Sequence, residues 1–595
     1  MKNSKIHTYD MGIIGNCSYL AYIDTKANVK WLCMPRFDSS FIFGSLLDEK
    51  KGGDFYVQPA GKNFSSSQYY IKNTNVLVTE FKSAESSFRV IDFAPRFYQF
   101  DRYFKPLMLI RKIEHLSGNP YIRISCKPVG DYGNIVPEIV IASNHLRYLN
   151  LDSQVRLTTD IPLSYIIEET SFVLTENKYI VFTYGEPLEA PLVSTAENFL
   201  DKTIKYWTNW VKGTSIPNIY QDQVIRSALV LKLNQYEDTG GIIAAGTTSL
   251  PEHHLSGRTW DYRFCWMRDT YYTLTAFNNI GHFEELEKYF NYIQNIILNE
   301  KERINPLYTI TGKPVKIEEH LNLEGYLGNR PVRTGNNATY QVQNDVYGQL
   351  LVSLLPLFAD KRLDYFDKTK THHIICWLLN LIEKNIQTPD SGIWEFGNNI
   401  QHHLYTMLFH WAGSKAAYKI ALLLDDTIMV KQSLEIIKKA SWHIEQCYNP
   451  VRKVYTQAIG SNQLDASSLQ LIIMNYLNPD SQKAKLHLKN HEKELKNKMG
   501  LFYRYIFEDE LGKPQSSFII CSFWYAESLA CVGRLEEALS LLDTLVSMSN
   551  HLGLFSEDVD EKGGQWGNFP QTYSHVGLIN AVNRIAVKLD KPFFM

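Results

Sequence analysis

The period of the apolar residues changes once along this chain, and that change constrains the fold more than any other feature. Up to about residue 190 the apolar residues come in short β-branched or aromatic runs. "NVKWLCMP", "NVLVTEFKS", "SFRVIDFAP", "LMLIRKIEHL", "YIRISCKPV", "SQVRLTTDIP" and "KYIVFTYGEP" are separated by Gly, Pro, Asn and Asp turns. This spacing predicts the antiparallel strands of a β-sandwich. From about Ile219 to the end, apolar residues recur at three- and four-residue intervals in about twelve segments. "DYFDKTKTHHIICWLLNLIEK" and "DASSLQLIIMNYL" are two of these predicted helices. No fixed-length repeat is visible, so a consensus solenoid is not supported. The helices are expected to form hairpins closed into an α/α toroid, with loops gathered at one end.

Between the two regimes, "STAENFLDKTIKYWTNWVKGT" predicts a connecting helix, capped by Ser194 or Thr195 and ended by Gly213. The expected division is residues 1–192 as sandwich, 193–215 as linker helix and 216–595 as helical domain. A chain of 595 residues is too long for one ordinary core.

The charge balance narrows the partners. The net charge is −2 and the pI about 6.8, so no basic field attracts nucleic acid or an anionic membrane. An aromatic content of 13% suits either a large core or stacking on neutral rings. The eight cysteines form no CxxC pair, and their scatter is that of reduced, buried thiols in a cytoplasmic protein. The N-terminal stretch has no continuous apolar segment of signal-peptide type, and no run is long enough to span a membrane. His372-His373 and His402-His403 are adjacent pairs, not the i, i+4 spacing of a helical zinc site, and read as structural. No glycine-rich nucleotide loop occurs.

Four loops carry the candidate chemistry. "SGRTWDYRFCWMRDT" holds Tyr262, Trp266, Arg268 and Asp269. Aromatic planes and bidentate polar groups of this kind bind a pyranose, or they form an Arg–Asp network holding the loop to its helix. "LNLEGYLGNRPVRTGNNATYQ" offers Arg330 and Arg333, as ligand contacts or loop ties. "SGIWEF" sets Trp394 and Glu395 between two turns. A carboxyl held against an aromatic wall gains the raised pKa a general acid needs, though a turn Glu is also often exposed. "GLFSEDVDEKGGQWGNF" clusters Glu557, Asp558, Asp560 and Glu561, which alone reads as a solvated acidic turn. Glycoside hydrolysis, however, needs two carboxylates flanking one bond.

In this order, "MGIIGNCSYLAYIDTKANVKWLCMP", "TWDYRFCWMRD", "LEGYLGNRPVRTGN", "GIWEF", "YTQAIGSNQLDAS" and the acidic turn resemble glycoside hydrolase family 15, over nearly the whole chain. That family includes glucoamylases, glucodextranases and trehalases. The resemblance implies a β-sandwich joined to an (α/α)6 barrel, and inverting hydrolysis of α-glucosidic bonds that releases β-glucose. It implies Glu395 as general acid and Glu557 as general base. It implies Tyr262, Trp266, Arg268 and Asp269 as the terminal-glucose subsite, Trp394 as a wall beside the acid, and Arg504 as a substrate contact; Arg333 is counted with these binding residues. No metal or cofactor is required. The sequence departs from fungal glucoamylases at Phe396, where they carry a second acid, so the leaving-group preference is open. The leading expectation is an exo-acting glucan 1,4-α-glucosidase acting on a neutral α-glucoside. The alternatives are an α,α-trehalase or an isomaltose/dextran glucohydrolase of the same family and, from other classes, a glycoside phosphorylase or a non-catalytic glucan-binding protein.

Overall fold

The structure is a computed structural model and describes residues 6–61, 63–363 and 368–590. Its N-terminal part is built on an eight-stranded antiparallel sheet. In spatial order its strands are Glu138–Ile141, His145–Leu149, Val155–Thr159, Lys178–Tyr184, Met108–Ser117, Ser87–Phe93, Leu77–Lys82 and Ser65–Tyr70. Side chains alternate between the two faces, as strand geometry requires. Phe182, Leu109, Val90 and Leu77 point to one side, where Phe182 meets Phe43 and Phe55 of a four-stranded and a three-stranded sheet. Val181, Ile110, Ile91 and Val78 point to the other.

That second face is covered by the connecting helix Leu192–Lys212, through Ala196 and Leu200. The helix is therefore a third layer of the N-terminal part as well as a connection. Pro191, not Ser194 or Thr195, precedes its first turn, and no side chain caps it. Proline fixes φ for helix entry, so the two hydroxyl residues fall inside the first turn. Gly213 closes the helix as expected. Trp210 stacks on His282 at 3.8 Å and donates to Glu285, tying the helix to the C-terminal part.

Twelve helices follow among the described residues. We number them α1 (Gln221–Asn234), α2 (Thr270–Asn279), α3 (Phe283–Asn299), α4 (Asp345–Ala359), α5 (Lys368–Asn385), α6 (Leu404–Leu423), α7 (Thr427–Gln446), α8 (Gln470–Ile473), α9 (Gln482–Leu495), α10 (Ile519–Cys531), α11 (Leu535–Val546) and α12 (Thr572–Lys588). The even-numbered helices contact one another in sequence, and α12 returns to α2, so the inner ring is closed. The odd-numbered helices form the outer layer. α1 packs on α12, where Ser227 Oγ meets His575 Nδ1 at 2.9 Å and Asn234 donates to Thr572. The ring closes most tightly at α4 and α6. A Cβ on Gly348 would stand 2.0 Å from Phe409 O, so only glycine permits this approach.

One predicted helix differs from expectation. The segment at 466–473 is a 3-10 turn, Ala466–Leu469, followed by only four α-helical residues. Asn475 turns left-handed immediately after it, and Pro479 follows. The predicted start of α5 at 364–367 lies outside the described residues, as does the end of the chain beyond residue 590. Among the described residues no helix is long and apolar enough to cross a membrane.

Candidate active site

Loops entering the inner helices α2, α4, α6, α10 and α12 converge on one end of the ring. There they line a cavity of about 560 Å³. Tyr262, Trp266, Arg268, Asp269, Arg333, Trp394, Glu395, Arg504 and Glu557 all face it. Inner-helix N-termini, each with a partial positive charge, end around it.

Glu395 sits on a loop based on paired backbone hydrogen bonds between Asp390 and Gln401. Its φ is +61°, a left-handed conformation costly for a side chain this long. Gln341 Nε2 holds it there by donating to its backbone carbonyl at 3.0 Å. Trp266 Nε1 donates to Oε1 at 2.8 Å, Arg268 Nη1 at 3.0 Å and Gln343 Nε2 at 3.4 Å. No donor among the described residues reaches Oε2. The side chain is 26% exposed, toward the cavity.

The expected apolar wall is thus only part of the environment. The indole that contacts the carboxyl is Trp266. Trp394 lines the cavity but turns its N–H away, to Asp465 Oδ2 at 2.6 Å, and packs among Tyr505, Phe518 and Trp524. Asp465 lies in "YTQAIGSNQLDAS", and burial pushes its carboxyl up to about 6, against the pull of Ser467 and Trp394. Arg268 also pairs with Asp269, whose burial raises it to about 6 while Arg268 pulls it down.

Glu557 faces this group from the loop before α12. Tyr262 donates its hydroxyl to Oε1 at 2.6 Å, and the Asn568 amide reaches Oε2 at 3.3 Å. Tyr262 in turn meets Trp266 edge-on at 5.2 Å, so two side chains of a single third loop link the two glutamates. Burial pushes the Glu557 carboxyl well above the usual range. Glu252 and Asp558 add to this; Tyr262 and Arg504 oppose it. Gly567 has φ +76°, and a Cβ there would lie 2.5 Å from Glu557 Cβ. The N-terminal part fixes this glycine, since Tyr9 donates to its carbonyl at 2.9 Å.

The acidic turn is not a solvated surface throughout. Glu557 and Asp558 are buried. Asp560 instead organises its own turn by accepting from Trp566, and Glu561 accepts from Tyr503. Arg504 forms an ion pair with Glu252, a buried residue the sequence reading did not single out. Glu252 lies in "SLPEHH", away from any recognisable pattern. Arg333 pairs with Glu318 and lies over Trp260 at 4.6 Å, so it both shapes the cavity and ties the loop. Phe396 is buried against His403, Tyr505 and Phe507, closing the side where an acid was absent. Glu510, from another loop, reaches the next turn by accepting from the Asn398 amide at 2.6 Å and also lines the cavity.

Two carboxylates in one cavity at the end of a closed α/α ring, set among indoles and arginines, fit what glycoside hydrolysis needs. The family model for glycosyl hydrolases family 15 matches residues 218–583, and a model described as trehalase-like, N-terminal, matches residues 3–171. The chain belongs to glycosyl hydrolases family 15. It is 32% identical to a protein named trehalase from Thermoplasma acidophilum over 575 residues, covering 95% of this chain and 97% of that one. It is 29% identical to Trehalase 1 of Sulfolobus acidocaldarius, covering 97% and 98%. A solved bacterial glucoamylase complexed with acarbose shares the fold, with a TM-score of 0.69 at 15% identity over 98% of this chain and 95% of that one.

Proposed function

We propose that this hydrolase is an α,α-trehalase that splits the disaccharide by single displacement, with inversion at one anomeric carbon. The observation that carries the reading is the set of relatives named trehalase, which match sandwich and barrel together at 27–32% identity. Of the substrates left open by the sequence, trehalose therefore ranks above 1,4-linked glucan. The cavity, about 560 Å³, is of the size that encloses a small ligand.

In this mechanism Glu395 is the general acid. Oε1 is anchored by its three N–H donors, which leaves Oε2 to carry the proton to the glycosidic oxygen. Glu557 is the general base and removes a proton from the water that attacks the opposite face of the ring. The water's oxygen joins the anomeric carbon as the bond to the bridging oxygen breaks, and the second glucose leaves with that oxygen. Arg268, Asp269, Tyr262 and Trp266 hold the first glucose. Trp260, Arg333 and Phe396 bound the space for the second.

Trehalose joins two α-anomers, so inversion yields one β- and one α-glucose per turnover, whereas retention yields α alone. The test is initial-rate NMR of the products with trehalose, maltose and isomaltose as substrates. Trehalose is expected to be hydrolysed fastest, with equal first signals of both anomers. Faster release from maltose, or α-glucose alone from trehalose, refutes the reading. Glu395→Gln and Glu557→Gln are each expected to lose about 10²–10⁴-fold in turnover while remaining folded by circular dichroism.

A further inference from the structure

We propose that Asp558 is a neutral carboxylic acid in the working enzyme, donating its O–H to Ser516 and so relieving Glu557 of a neighbouring negative charge. The inference rests on Glu557 being the general base.

Ser516 Oγ lies 2.8 Å from the backbone carbonyl of Glu252 and 2.9 Å from Asp558 Oδ1. Serine has one hydrogen to give, and a backbone carbonyl can only accept. Both contacts are full hydrogen bonds only when Ser516 donates to Glu252 O and accepts a proton-bearing oxygen from Asp558. The other oxygen, Asp558 Oδ2, is buried with no hydrogen-bond partner among the described residues. A bare oxygen on a buried carboxylate is costly; on a neutral carboxyl it is a carbonyl with far less charge to solvate.

The surrounding charges agree. Asp558 is faced by Glu252, Glu557, Arg504, Arg258, Tyr9 and Cys521. Arg504 pairs with Glu252, and Arg258 with Asp509. Each cation already has a carboxylate partner and offsets the charge of an ionised Asp558 only in part. If Glu252, Glu557 and Asp558 were all ionised, three buried carboxylates would share Arg504 and the remainder of an Arg258 already paired with Asp509. Burial and Glu252 push Asp558 up to about 7. A proton on Asp558 lets Glu557 ionise, as a base must. Asp558 touches no substrate in this scheme; it is a positioning residue that acts through the charge on Glu557.

Two measurements on the full-length enzyme test this. In infrared difference spectra near pH 6, wild type minus Asp558→Asn is expected to show the C=O stretch of a protonated carboxyl, and Ser516→Ala is expected to shift that band. The absence of a band in the first difference overturns the proposal. The acid limb of kcat/KM on trehalose gives the second readout. If Asp558 is already neutral, Asp558→Asn leaves that limb in place. Removing an ionised neighbour would lower it by about a pH unit or more, and that shift also overturns the proposal. Asp558→Ala, which loses the O–H, is expected to lower kcat more than Asp558→Asn. Failure of the underlying reading is seen separately: full turnover by Glu557→Gln removes the base, while the infrared band still reports on Asp558.

Discussion

Tyr262 donates its hydroxyl to Glu557 Oε1 across 2.6 Å, and its ring stands edge-on to the Trp266 indole that donates to Glu395. The donor favours the ionised form of Glu557. Tyr262→Phe is expected to move the acid limb of the pH–rate profile to higher pH and to lower kcat/KM by about tenfold to a hundredfold, the scale of a hydrogen bond to a charged group. An unmoved limb excludes Tyr262 from stabilising the base.

Gly567 allows Glu557 its place, because its φ is +76° and a Cβ would lie 2.5 Å from that of Glu557. Gly567→Ala combines a strained backbone, costing about 1–3 kcal/mol, with a direct clash. The expected result is a lower Tm and a kcat reduced at least about tenfold, with a smaller change in KM. A variant with wild-type kinetics shows that the loop accommodates the methyl without moving the carboxylate.

Asp465 anchors Trp394 from beneath the cavity floor through a 2.6 Å hydrogen bond. Asparagine keeps a carbonyl acceptor for the indole; leucine does not. Asp465→Leu is expected to raise KM for trehalose by about five- to tenfold and more than Asp465→Asn does. Equal KM values in the two variants remove Asp465 from any role in binding.

His575 joins α12 to Ser227 of α1 and accepts the Phe555 amide at 3.1 Å. Burial, with the charge of Arg226, pushes its imidazole down to about 3. Unfolded histidine titrates near 6.5. As pH falls through that value the unfolded chain binds a proton that the native ring refuses, down to about pH 3, so this group makes stability fall with acid. His575→Gln is expected to narrow the difference between Tm at pH 7 and at pH 4.5. An unchanged difference shows that His575 is not buried neutral.

The fold was legible because periodicity is a property of neighbouring residues: the shift near residue 190 marks where strands give way to helices. The short α8 escaped because "DASSLQLIIMNYL" has helical spacing, while Asn475 and Pro479 stop it early. The site was legible where its residues stand close together, as from Tyr262 to Asp269, and where the family resemblance paired Glu395 with Glu557. Glu252 and Gln341 were not legible. Each acts on a residue more than fifty positions away, and nothing in its own neighbourhood marks the contact. The environment of Glu395 also lay beyond local reading. Trp394 is its neighbour in sequence, yet the indole that touches it comes from Trp266.

The bond from Tyr9 to Gly567 spans 558 residues. A ribosome releases Tyr9 first and Gly567 nearly last, so during synthesis the sheet can fold and most of the helices can pair while one wall of the cavity is still missing. The wall that carries Glu557 is therefore the last part of the cavity to be made. A chain cut short just before residue 567 would keep most of its length and lack the glycine against which Glu557 packs.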